Sequence, residues 1–250
     1  MKNKSEYIKF ILPLLIIFFW FIFTYTGKVP PTSLPSLSAV KDTFIEMLKS
    51  GQLSNDLSLS LRRVLAGFFI SSVLGISLGI FMGISSKAKE FFQLTLTAIR
   101  QIPMIAWIPL IILWAGIGEV SKIVVILFAA TFPIVINTMS GVDSTSETYL
   151  EVAKMYGLSK KDTFFKVYLP SALPNIFTGL RLGLGASWMA VVASELIASS
   201  SGIGYRLNDA RSLMRSDVVI VCMIIIGLVG LLMDKLIVLI SHELTPWKKN

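Results

Sequence analysis

Residues 123–142 read IVVILFAATFPIVINTMSGV, twenty consecutive residues without a charge. A helix rises 1.5 Å per residue, so such a run reaches about 30 Å, the apolar thickness of a bilayer. Working outward, the same reading applies to 10–27, 64–86, 91–118 (interrupted only by Arg100) and 171–197 (with Arg181 and Glu195). A shorter run, 218–233, is extended by 236–240 past Asp234 and Lys235. The pattern predicts an all-α membrane protein with about six transmembrane helices.

Composition agrees. Of 250 residues, 54% are hydrophobic and 15% charged, and mean hydropathy is +0.74. A soluble domain carries about 25% charged residues, so this chain could not cover a water-facing surface. Apolar dominance excludes a disordered chain, and Cys222 as the single cysteine excludes a disulfide scaffold. The formal charge of +8 suits loops facing anionic lipid. No aromatic-and-basic stacking module is present, which sets nucleic acid aside.

The first run follows Lys2, Lys4 and Lys9, as a signal peptide would, but it is long and bulky and no small-x-small cleavage site follows. It is read as a retained anchor. With the N-terminus inside, Lys and Arg number 12 on the cytoplasmic side and 9 outside, and Lys87 and Lys89 share a tight inner turn. The charge balance therefore favours cytoplasmic N- and C-termini. The expected divisions are 1–27 (N-terminal residues and first span), 28–63 (external loop with an amphipathic helix) and 64–250 (a core of five spans).

Two loops carry structure of their own. In 38–50, Val40, Phe44, Met47 and Leu48 share a helical stripe, and Gly51 stands where a C′ residue would. This predicts a helix on the outer interface. The loop 143–170 is long for a connection between spans. Ser144-x-x-Glu147 predicts a capping box opening a helix through Met155, closed by Gly157 in left-handed geometry. Ser159-x-x-Asp162 predicts a second short helix, with Pro170 ending it and Pro174 opening the next span.

The same loop holds Glu151-Val152-Ala153, three residues, Gly157, nine residues, then Val167-Tyr168-Leu169-Pro170. This resembles the EAA signature of bacterial ABC-importer permeases, departing from it at Val152, usually Ala, and Val167, usually Ile. Further stretches are similar to the taurine, sulfonate and nitrate group of that family. They are Leu34-Pro35-Ser36, Arg100-Gln101-Ile102-Pro103, Ile108-Pro109-Leu110, and Trp114 through Glu119. Gly179-Leu180-Arg181-Leu182, Trp188, Glu195 and Ser201-Gly202-Ile203-Gly204-Tyr205 belong with them. The resemblance covers about 30–245.

The resemblance implies a type I importer permease of a bacterial inner membrane. Two copies would form the pathway, two ATP-binding subunits would dock on the EAA loops, and a substrate-binding protein would dock outside. Glu151, Val152, Ala153, Gly157, Leu158, Leu169 and Pro170 would form the ATPase-coupling surface. ATP and Mg would belong to the partner ATPase, with no cofactor on this chain, which lacks G-x-x-x-x-G-K-[ST]. The cargo would be a small solute: a sulfonate, taurine, nitrate or a small organic ion of that kind.

Several residues keep two readings. Gly75, Gly79 and Gly83 form a small-residue ridge for packing within the subunit or against a second copy. Arg100 and Arg181 lie in spans, where charge is costly, and either bond helix-end groups near the interface or line a substrate route. Pro103 and Pro109 would kink or unwind the third span, a candidate gate. Trp188 and Glu195 are candidates for the pathway, with structural pairing favoured for Glu195. Cys222 reads as packing and His242 as a surface residue.

Two other classes compete. An ion-coupled secondary transporter would use Glu195 and Asp234 as carriers, but it leaves the 143–170 loop without a role. An intramembrane hydrolase needs a nucleophile with a base or a metal, and one histidine supplies little.

Overall fold

The computed structural model describes residues 3–27 and 29–247. Lys2, Lys28, Lys248 and Lys249, which enter the charge balance, lie outside the described residues. All regular structure among the described residues is helical, without strands. In chain order the helices are α1 (Asn3–Tyr25), α2 (Leu37–Lys49), α3 (Gln52–Ile84), α4 (Ser86–Arg100), α5 (Met104–Ala115), α6 (Glu119–Asp143), α7 (Glu147–Met155), α8 (Lys160–Thr163), α9 (Leu169–Ala198), α10 (Ile203–Ser212) and α11 (Ser216–Leu244).

Among the described residues, four helical stretches are long and apolar enough to cross a membrane: α3, α6, the stretch Lys160–Ala198 and α11. The expected third span is not one straight helix. It breaks into α4 and α5, which meet at 98°. Pro103 is the N-cap of α5 and disfavours helical geometry at Ile102, so the ladder stops there. Pro109 sits inside α5, and the helix continues through it. The apolar stretch of α1, Phe10–Tyr25, is a shorter helix whose aliphatic and aromatic side chains are largely exposed. Trp20 anchors it, donating from Nε1 to the Pro35 carbonyl (2.9 Å).

The centre is α6, flanked by α3 and α9. A Cβ built on Gly67, Gly75, Gly79 or Gly83 of α3 would fall 2.6–2.7 Å from the side chain of Ile126, Ile134, Thr138 or Val142, respectively. The offset between partners is 59 at every pair, so α3 and α6 run parallel in one register. From the other side, Gly179 and Gly183 of α9 meet Ile134 and its neighbours, while Gly141 of α6 meets Asn175. Partner numbers now run in opposite directions, so α9 is antiparallel to α6. The missing side chains let the backbones approach closely, and van der Waals contact then holds helices that lipid does not drive together. The ridge Gly75, Gly79, Gly83 thus faces α6 of the same chain.

The second span begins earlier than expected. α3 starts at Gln52, so the segment before Val64, assigned above to an external loop, is helical. Its first turns carry Asp56, Ser60 and Arg63, all buried, which explains a helix where the hydropathy is low. α2 has Ser36 as N-cap, accepting from Ala39 N (3.2 Å). Val40, Thr43 and Met47 are its buried stripe, while Phe44 and Leu48 are exposed. The correction follows from α11, because the Thr43 hydroxyl donates to Asp217 (2.7 Å) and turns the helix that way.

Candidate functional site

The 143–170 loop folds as a short helix and a turn. The expected capping box at Ser144 does not form. α6 continues through Asp143, the Ser144 hydroxyl donates back to the Gly141 carbonyl (3.0 Å), and Ser146 is the N-cap of α7. At the other end of α7, Leu158 N donates to the Ala153 carbonyl and Gly157 N to that of Lys154, both at 3.0 Å. These two bonds are a Schellman closure, which needs a left-handed residue at Gly157, whose φ is +63°. Ser159 then caps α8, accepting from Asp162 N (3.1 Å).

Pro170 does not end this second helix, as expected, nor does Pro174 begin a separate one. α8 passes through a π-helical turn at Phe164–Tyr168 directly into α9, with both prolines inside the helix. Leu169 N reaches the carbonyl of Phe164, so the ladder slips by one residue just before Pro170, which has no N–H to offer. From Lys160 onward the loop is therefore continuous with α9.

On the outer side of α7, Tyr149, Val152, Met155 and Tyr156 are exposed, whereas Ala153 is buried against the protein. Glu151 is exposed beside them and makes no hydrogen bond or ion pair among the described residues. An apolar groove of about 790 Å³ opens here, lined by Val152, Tyr156, Leu158, Val167, Pro170 and Trp247 among others. Leu169 joins the cluster of Val142, Ala172 and Ile176 that fastens the loop to α6 and α9. The Lys89 ammonium donates to Asp143 (2.7 Å), tying α4 to the same end. An apolar, anchored patch with an exposed carboxylate beside it can seat another protein. Among the described residues, no nucleophile with a base is placed there.

The pathway candidates separate. Arg100 is exposed at the end of α4, beside the break at Pro103. Arg181 donates from Nε and Nη2 to the two oxygens of Asp234 (2.5 and 2.7 Å), joining α9 to α11. It lies on an exposed stripe of α9 that also holds Thr178, Leu182, Gly185 and Met189. Two candidates are not on any open surface. Trp188 is 4% exposed and donates to the Ile226 carbonyl (3.0 Å), and Glu195 is 1% exposed. Packing against α11 and α10 places both in the interior.

The family described as binding-protein-dependent transport system inner membrane component matches residues 71–245. The chain belongs to that family. A putative ABC transporter permease of Methanocaldococcus jannaschii is 39% identical over 99% of this chain and 94% of its own. The putative aliphatic sulfonates transport permease of Bacillus subtilis is 38% identical over 96% of this chain and 87% of its own. The taurine transport system permease of Escherichia coli is 32% identical over 94% and 87%. Among solved structures, an amino acid ABC transporter covers 80% of this chain at TM-score 0.65, matching over 98% of its own length with 17% identity. The inward-facing methionine ABC transporter MetNI covers 71% of this chain and 92% of its own at TM-score 0.54 and 18% identity. These likenesses carry the fold: a type I importer permease.

One cluster in this permease went unread in its sequence. Arg63 donates from Nε and Nη2 to Glu119 (2.7 and 2.5 Å), from Nη1 to Glu195 (2.6 Å), and further to the Ser201 carbonyl and hydroxyl. Ser60 donates to Glu195 (2.8 Å) and accepts from Ile203 N (3.0 Å). Gly204 N donates to Glu195 (3.0 Å), and Asp56 accepts from Gly202 N (3.3 Å) and Arg206 Nε (2.8 Å). Two carboxylates and a hydroxyl thus satisfy the first N–H groups of α10, where a helix is electropositive. Glu195 pairs structurally, and the signal for its partners was the spacing of Asp56, Ser60 and Arg63 on one helical face.

Proposed function

We propose that this chain is the membrane subunit of an ATP-driven importer, in which two copies of it form the pathway. Two separate ATP-binding subunits dock on the α7 loops and carry ATP and Mg, while an external binding protein delivers cargo at the α10 end. The chain itself performs no hydrolysis. Its orientation puts both termini and the α7 loop on the cytoplasmic side of a bacterial inner membrane. The observation that carries this reading is the anchored α7 patch with its Schellman turn at Gly157. Beyond that turn, α8 and the π-helical turn run on into α9, so a push on the loop reaches the bundle.

The loop residues Glu151, Val152, Ala153, Gly157, Leu158, Leu169 and Pro170 serve coupling in two ways. Val152 and Leu158 line the groove, whereas Ala153 and Leu169 pack inward. The α4–α5 break at Pro103, with Arg100, and the exposed α9 stripe around Arg181 are the pathway elements. Relatives named for aliphatic sulfonates and taurine support a small organic ion as cargo. The secondary-transporter reading is disfavoured by a specific observation: Asp234 and Glu195, its two carriers, are each committed to an arginine. The experiment is uptake of radiolabelled taurine or ethanesulfonate into proteoliposomes. The importer requires the ATP-binding subunit, the binding protein and ATP together. Uptake by this chain alone on an ion gradient contradicts it.

A further inference from the structure

Two arginines stand in apolar segments, and their surroundings differ. The fork of Arg181 is filled by Asp234. The Arg100 guanidinium has no hydrogen bond or ion pair among the described residues, and it lines two adjoining cavities at the α4–α5 break. The larger, about 290 Å³, lies between the break and the middle of α6. Its wall is aromatic: Trp107 and Phe128 have ring centroids 5.3 Å apart, and Phe132 follows at 6.5 Å from Phe128. Arg100 is the one charged residue among those lining either cavity.

We infer that this cavity is a subsite for a small organic anion, with its sulfonate or carboxylate on Arg100 and its short carbon body against Trp107, Phe128 and Phe132. The exposed guanidinium at the end of α4 faces this cavity without a counter-charge, and a bound oxyanion supplies one through paired N–H donors. The aromatic wall removes the carbon body from water. The volume is at the low end for ligand pockets, which suits a cargo of a few carbons. The inference rests on the importer reading, and it assigns the anion to Arg100 rather than to Arg181.

The test uses an Ala129→Cys variant, since Ala129 lines the same cavity and Cys222 is buried. The probes are 2-sulfonatoethyl methanethiosulfonate and its cationic 2-(trimethylammonium)ethyl analogue. In each case the cysteine thiolate attacks the reagent sulfur, forms a mixed disulfide and releases methanesulfinate. Rates are measured on the permease in phosphatidylcholine nanodiscs, with and without its ATP-binding subunit, and normalised to rates with free cysteine. The anionic probe is expected to be favoured, the preference falling about tenfold or more in Arg100→Gln. It stays in Arg62→Gln, which removes the same charge from an exposed site on α3. Ethanesulfonate is expected to slow the anionic probe with Arg100 intact, a readout that needs no Arg100 substitution. The assignment is overturned by a preference that Arg100→Gln leaves unchanged, by reaction with neither probe, or by protection from phosphatidylglycerol but not ethanesulfonate. Failure to bind the ATP-binding subunit counts against the importer reading alone, because the rate ratio is still measured on the permease by itself.

Discussion

Gly202 faces the carboxylate of Glu195 with no room for a Cβ between them. Its φ of +103° and ψ of 169° lie in a region that glycine alone occupies readily, at a cost of about 1–3 kcal/mol for other residues. Gly204 is held as tightly, since a Cβ there would stand 2.5 Å from the Val192 carbonyl. Gly202→Ala is therefore expected to displace Glu195 from Arg63 and lower the melting temperature of the detergent-purified protein. Gly227→Ala, where a Cβ meets open space, is the matched control and should change little. Equal melting temperatures would show that the α10 start is not sealed by this contact.

Arg63 engages Glu119, Glu195 and Ser201 at once, from a side chain 3% exposed. Removing it leaves Glu195 buried without its counter-charge, a loss of about 3–5 kcal/mol. Arg63→Ala should therefore cost far more stability than Arg62→Ala next to it. Arg63→Lys should recover only part, because an ammonium has no fork to share between two carboxylates. Thermal unfolding of the three variants side by side decides the point, and full rescue by lysine would contradict the shared-fork account.

The register of α3 on α6 can be tested at Gly79. A Cβ there would lie 2.6 Å from Thr138 Cβ and 2.8 Å from the Val135 carbonyl, which is backbone and cannot step aside. Gly79→Leu should destabilise by about 1–3 kcal/mol or more, as overpacking does. Gly185→Leu, on the open stripe of α9, should fold normally. Comparable monodispersity of both variants on size exclusion would remove the close-contact argument.

Much of this was legible in the sequence, and the rest failed for identifiable reasons. Uncharged length was enough for α6, because a run of twenty apolar residues in lipid satisfies its own backbone groups as a helix, whereas α11 had to be read through Asp234 and Lys235. Gly157 was legible because a left-handed closure has a strong residue preference. The start of α3 was not, since Asp56, Ser60 and Arg63 look like loop residues until their partners on α6, α9 and α10 are known. Ser144 and Pro170 misled in the same way. Each carries a strong local signal for a helix end, yet packing of α6 and the π turn before α9 override it.

Orientation is tested by cysteine labelling in intact cells. Single cysteines at Lys87 and Glu151 should react only with membrane-permeant maleimide, and one at Asn208 of α10 should react with an impermeant reagent from outside. The opposite pattern would put the α7 patch on the wrong side of the membrane for any ATPase.

The central claim is that α7 couples the bundle to an ATP-binding subunit, and co-purification with that subunit tests it most directly. Nothing lies within 4 Å of where a Cβ on Gly157 would stand, so Gly157→Asp carries only the strain of φ +63°, about 1 kcal/mol, plus a charge. Glu151→Lys reverses an exposed charge that has no partner within the described residues. Both variants should reach the membrane at normal abundance. Both should lose most of the co-purified ATP-binding subunit, Glu151→Lys more severely at low salt, where exposed charges are least screened. Full association of the ATP-binding subunit with both variants would contradict the account.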